Sequence, residues 1–134
     1  MTSALFQPIS LRGLTLPNRI VISPMCQYSA EDGSATDWHM IHLGSLSLSG
    51  AGLLIVEATG VEPRGRITHG CLGLWSDANE AALARVVAAC RRYGNVPLGI
   101  QLGHAGRKAS VHPPHLGGRP LGPDEEPWTT VAPS

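Results

Sequence analysis

Apolar residues in this chain fall into short runs separated by longer polar stretches. Arg19-Ile20-Val21-Ile22-Ser23 is a β-branched run stopped by Pro24, and Leu53-Leu54-Ile55-Val56-Glu57-Ala58 is a second such run. Leu98-Gly99-Ile100-Gln101-Leu102 is a third. Continuous apolar runs of this length suit strands buried on both faces. Between them the periodicity changes to helical. Asp37 reads as the N-cap of a helix from Trp38 to about Leu48, with Trp38, Ile41, Ser45 and Leu48 on one side and Gly50 and Gly52 as the stop. Ser76 or Asp77 caps a second helix over about 77–93, where Leu83, Val86, Val87 and Cys90 form one apolar stripe, ended by Gly94 and Pro97. Strand, helix, strand, helix, strand predicts a parallel sheet with right-handed crossovers. The alternation alone does not separate a barrel from an open doubly wound sheet.

Two flanking segments read differently. Residues 5–17 carry turn residues at Pro8, Gly13 and Pro17 between short alternating stretches, a small β-hairpin. From Val111 onward, Pro113, Pro114, Pro120, Pro123, Pro127 and Pro133 interleave with Gly117, Gly118 and Gly122, a long irregular loop. The organisation expected is therefore a hairpin lid over 1–17, the first βα units over 18–110 and a Pro/Gly-rich loop over 111–134.

Composition narrows the class. Hydrophobic residues make up 43% and charged residues 15%, against disorder. Lys plus Arg equals Asp plus Glu at 10 each, so no basic footprint for nucleic acid or an anionic membrane is expected. No apolar run approaches membrane-spanning length, and the start lacks the charged and apolar regions of a signal peptide. Cys26, Cys71 and Cys90 are odd in number and widely spaced, which favours reduced thiols and a cytoplasmic location over a disulfide framework or a zinc site.

In α/β folds ligands meet the carboxyl ends of the strands. Here those ends carry Pro24-Met25-Cys26-Gln27-Tyr28, Glu57-Ala58-Thr59-Gly60 and Gln101-Leu102-Gly103-His104-Ala105-Gly106-Arg107-Lys108. Taken one at a time, each has a bland reading. Cys26 can be a small buried hydrophobe, Tyr28 a packed loop aromatic, and Gln101 an amide satisfied by backbone. His104 can cap or pack as readily as serve as base or ligand. His39 and His42 read as a solvated helix face, and Arg64, Arg66, Arg107 and Lys108 as solvated charges. Gly50-Ala51-Gly52 precedes a strand, so it is no dinucleotide fingerprint, and the spacing from Gly103 to Ser110 is wrong for a P-loop.

Read jointly, the segments resemble the old yellow enzyme family. Leu5-Phe6-Gln7-Pro8-Ile9 is similar to that family's opening. Pro17-Asn18-Arg19-Ile20-Val21, running into Ser23-Pro24-Met25-Cys26-Gln27-Tyr28, resembles its first barrel strand and the loop after it. Gly65-Arg66-Ile67 resembles the segment after strand two, and the run from Gln101 to Lys108 its Q-L-x-H-x-G-R motif. The order and separations agree from Leu5 to Ala109, and the branch is the bacterial one with a cysteine beside the flavin. The resemblance implies the N-terminal portion of a TIM (β/α)8 barrel, FMN as cofactor and NADPH as hydride donor to the C=C bond of an α,β-unsaturated carbonyl compound. It implies that Ser23, Pro24, Met25, Cys26, Ala58 and Gln101 border the flavin, with Cys26 tuning it, and that Tyr28 and Lys108 reach the substrate. No metal is implied. A whole barrel needs roughly 250 residues, so partners are expected: the remaining barrel, a small enone and further copies of the complete enzyme. A His-x-x-His or His-x-x-Asn pair, a Tyr proton donor, an Arg near the flavin and the phosphate loops would lie there. The alternatives are a non-catalytic half-barrel, or a related flavin barrel such as a dienoyl-CoA reductase.

Overall fold

The computed structural model describes residues 3–133. Its elements follow the expected alternation. Strands β1 (Ile9–Leu11) and β2 (Leu14–Leu16) form an antiparallel hairpin. Then come β3 (Val21–Ile22), α1 (Asp37–Ser47), β4 (Leu53–Gly60), α2 (Asp77–Tyr93) and β5 (Leu98–Gly103). The last three strands make one parallel sheet in the order β3-β4-β5. This is the expected opening of a (β/α)8 barrel: parallel neighbours in chain order, each joined to the next through a helix.

The core lies between the sheet and the helix pair. Leu54 and Val56 of β4 meet Leu43 of α1 and Leu83, Val86 and Cys90 of α2, all buried. On α2 the stripe is as expected, although Val87 sits at its half-buried margin. Ser76 caps this helix by accepting the Asn79 N–H at 3.2 Å. Asp77 and Glu80 in the first turn and Arg91 and Arg92 in the last complement the helix dipole. Replacing Ser76 with alanine is expected to cost about 1 kcal/mol, read as a lower urea midpoint with an unchanged slope.

Helix α1 departs from expectation. Its N-cap is Thr36, one residue early, and its buried face is His39, Leu43 and Ser47. Trp38, Ile41 and Leu48 are exposed instead. The true stripe has i, i+4 spacing but carries an imidazole and a hydroxyl, so hydropathy hides it. Ser47 is chosen for size: its hydroxyl bonds back to the Gly44 carbonyl at 2.7 Å, and a Cβ on Gly94 would lie 2.4 Å from that hydroxyl oxygen.

The Pro-rich segment stays irregular but is pinned. His112 N–H donates to the Arg119 carbonyl, Leu121 N–H to that of Ser110, and Trp128 Nε1 to that of Arg64. Arg119 grips Glu125 through both guanidinium nitrogens at 2.8 and 2.9 Å, which holds that carboxyl well below its usual range. Arg66, expected to be solvated, is mostly buried. Its guanidinium stacks 5.1 Å from the Trp75 ring and 5.5 Å from that of Trp128, tying the segment to the barrel strands.

Candidate functional site

Strands β4 and β5 stay in register except at one point. Val56 pairs with Ile100, but Ala58 pairs with Gln101, so Glu57 is the extra residue of a β-bulge. A bulge re-aims side chains at a strand end. Here it turns a carboxylate into a closed space, 4% exposed, under the loop that follows β3. Glu57 Oε2 accepts the Gln27 N–H at 3.0 Å. Oε1 lies 3.4 Å from Nε2 of His39, which is wholly buried. His39 Nδ1 accepts the Thr36 N–H at 3.0 Å, so the ring hydrogen sits on Nε2, which makes no hydrogen bond and has the carboxylate as its charged neighbour. The imidazole expected on a solvated helix face is thus a buried strut from α1 through Glu57 to the Cys26–Tyr28 loop.

That loop is under local strain. Tyr28 has φ +53, a left-handed conformation unusual for a large residue. The turn preceding α2 accommodates it: a Cβ on Gly70 would lie 2.5 Å from the Tyr28 carbonyl oxygen, and Gly70 accepts the Ala30 N–H at 2.9 Å. The Tyr28 ring tilts against His115, centroids 6.2 Å apart. Partial burial, then the neighbouring Cys26, Cys71 and Glu57, raise its phenol.

Cys26 is half-buried with its sulfur toward the Ala58 N–H and the Cys71 thiol. Cys71, buried, was not among the expected site residues; only its distance in sequence concealed it. Its sulfur accepts the Thr68 N–H at 3.4 Å and lies 3.4 Å from the Thr68 hydroxyl. Bonding to Cys26 lowers the Cys71 thiol to about 6, burial opposes this, and the Thr68 hydroxyl and backbone assist it. The same contact, with burial and the Glu57 charge, pushes the Cys26 thiol up. Thr68 thus favours an anionic sulfur at Cys71.

A cleft of about 260 Å³ opens at the carboxyl ends of β4 and β5. Ala58, Gly60, Cys71, Gln101, Gly103 and His104 are on its walls. Gln101 is exposed there rather than buried. His104 is engaged: Nε2 meets Glu62 at 2.7 Å and Nδ1 accepts the Gly106 N–H at 3.0 Å. Among the described residues no cluster of His, Cys, Asp and Glu could hold a metal. The other expected residues stand apart. Ser23 and Met25 are exposed beside half-buried Pro24 on the β3 exit, and Lys108 is exposed on the turn Gly106–Lys108.

This architecture is shared. Residues 4–118 match the model of the NADH:flavin oxidoreductase / NADH oxidase family. The chain belongs to that family. An NADH:flavin oxidoreductase of Gibberella zeae is 49% identical over 115 residues, covering 86% of this chain and 28% of the relative. An NADPH dehydrogenase of Bacillus subtilis is 47% identical over 113 residues, covering 83% and 33%. Among solved structures, morphinone reductase superposes with a TM-score of 0.71 at 35% identity, over 79% of this chain and 28% of that one. An old yellow enzyme from a Pichia species gives 0.72 at 28% identity, over 80% and 28%. The chain thus spans about a third of the length of these relatives. The resemblance to the old yellow enzymes holds in both sequence and fold.

Proposed function

We propose that this chain supplies the first strands of an FMN-dependent oxidoreductase that takes hydride from NADPH and delivers it to the C=C bond of α,β-unsaturated carbonyl compounds, acting together with the remainder of the barrel. The observation that carries this is convergence. Cys26 follows β3, Ala58 and Gln101 lie near the carboxyl ends of the adjacent parallel strands β4 and β5, Ala58 N–H faces the Cys26 sulfur, and Ala58 is the register partner of Gln101. The family match and the names borne by its relatives support the same chemistry.

The residues present fit a flavin. The cleft is walled by small groups, Ala58, Gly60 and Gly103, which leave backbone accessible to a flat ring. Gln101 offers a carboxamide, donor and acceptor together, matching the pyrimidine edge of an isoalloxazine. When bound, FMN would supply the hydride chemistry itself. The chain's own residues would hold and tune it: Gln101 by hydrogen bonding, Ser23, Pro24 and Met25 by bordering the ring, and the Cys26 S–H as a weak donor. Tyr28 and Lys108 would face the substrate. The bulged Glu57 fixes the Cys26 loop without touching reactants.

The rest of the barrel is the partner in this reading. β5 presents Ile100 and Leu102 at 37% and 55% exposure, a face suited to the next strands and the barrel interior. The complete enzyme would associate as a homo-oligomer, and its free thiols suit the reducing cytoplasm. Among the described residues no helix is long and apolar enough to cross a membrane.

The test is to assemble this chain with the remaining barrel. A yellow complex, bleached by NADPH and recoloured by cyclohexenone, is expected. A colourless complex, or one that NADPH bleaches but no enone reoxidises, overturns the proposal.

A further inference from the structure

Cys71 is a second sulfur at a site where a single one was expected. The loop carrying Cys26 and the turn carrying Cys71 are locked together by backbone. Gly70 is seated on the Tyr28 carbonyl with no space for a Cβ, and its own carbonyl accepts the Ala30 N–H. Strand β4 fixes both from one side: Gln27 N–H, next to Cys26, bonds Glu57 at 3.0 Å, and the adjoining Ala58 shares the cleft wall with Cys71. Thr68 aims its N–H at the Cys71 sulfur and sets its hydroxyl beside it, an arrangement that stabilises a sulfur anion. Cys90 provides an internal contrast, since it is buried in the helix core and remote from the cleft.

We propose that Cys26 and Cys71 form an oxidisable dithiol that closes to an intrachain disulfide on reaction with a peroxide, hydrogen peroxide being the simplest. Cys71, on the cleft wall with the Thr68 N–H and hydroxyl at its sulfur, loses its proton to solvent and attacks one peroxide oxygen as the thiolate. The O–O bond breaks, hydroxide leaves and is protonated to water, and Cys71 becomes a sulfenic acid. The Cys26 sulfur then attacks the Cys71 sulfur, forming the S–S bond and breaking S–O. The departing hydroxide takes the Cys26 proton as a second water. Two electrons pass from the two sulfurs to one peroxide, and an external dithiol reverses the change.

Closure would cover the cleft wall at Ala58 and withdraw the Cys26 S–H from any occupant. The readout counts thiols and needs no bound cofactor, so its outcome is separate from that of the flavin assignment.

The full chain is treated with equimolar hydrogen peroxide, alkylated and digested with trypsin without reduction. Cys26, Cys71 and Cys90 fall in separate peptides, residues 20–64, 67–85 and 86–91. The expected product is one disulfide per chain joining the first two, with Cys90 fully alkylated and dithiothreitol restoring three free thiols. Cys26→Ser is expected to accumulate a dimedone-reactive sulfenic acid at Cys71, and Cys71→Ser to leave Cys26 reduced. Full alkylation of all three cysteines in the peroxide-treated wild-type chain, a link through Cys90, or a link between two chains overturns the proposal, whether or not either variant folds.

Discussion

Alanine at position 57 is expected to lower the unfolding free energy by about 2–5 kcal/mol, an effect far above that of a typical strand-end substitution. Glu57 accepts the Gln27 N–H on one oxygen and holds the other 3.4 Å from His39 Nε2. His39 is wholly buried, so removing the carboxylate leaves its imidazole N–H without a charged neighbour or water, and the part-buried Gln27 N–H loses its acceptor. Each buried unsatisfied donor costs about 1–3 kcal/mol. Glutamine at position 57 keeps one acceptor oxygen and should recover part of the loss, about 1–3 kcal/mol. Urea unfolding followed by tryptophan fluorescence measures both. A loss below about 1 kcal/mol for Glu57→Ala would show that water or local collapse replaces the carboxylate and that the strut is not what holds the Cys26 loop.

The pattern of apolar runs was enough to place every barrel strand and both helices, because buried parallel strands and a regular helix stripe each leave a periodic trace. The hairpin was legible from its turn residues. What stayed hidden has a common cause. His39 and Ser47 occupy core positions with polar side chains, so the α1 stripe was read from Trp38, Ile41 and Leu48, which are exposed. The Glu57 bulge leaves no trace in hydropathy, since the run Leu53–Ala58 looks the same with or without an inserted residue. Arg66 looked solvated because its stacking partners, Trp75 and Trp128, lie 9 and 62 residues further along the chain and meet it only in the fold. The candidate site was legible as a set of strand ends. Its convergence at Ala58 follows from sheet order, but Cys71 enters from a turn whose position no strand rule predicts. Gln101 can be read from sequence either as an amide satisfied by backbone or as a flavin-facing one, and it stands exposed on a cleft walled by β4, β5 and the turns beside them.

A methyl group added at Gly73 is the smallest change expected to disturb both the cleft wall and the docked Pro-rich segment. The Trp75 ring occupies a slot between two glycines. A Cβ on Gly73 would lie 1.9 Å from Cζ3 of that ring, and one on Gly33 2.4 Å from Cη2. Gly33 also has φ +76, so substitution there adds backbone strain, which makes Gly73 the cleaner probe of space alone. The backbone at 72–74 cannot yield easily. Gly73 N–H donates to the Gly33 carbonyl, Leu74 N–H to that of Gly60, and Gly60 N–H to that of Leu72, fastening the segment to the end of β4. The ring must therefore move, and Arg66, stacked on it and on the cleft wall, must move with it. Gly73→Ala is expected to cost about 1–3 kcal/mol from overpacking. Trp75→Leu alone removes the stack, while the double variant relieves the overlap and should recover stability, with a coupling of at least about 1 kcal/mol. Strictly additive losses in the two single variants and the double would show that the slot does not confine the ring and that Gly73 is held to glycine for another reason.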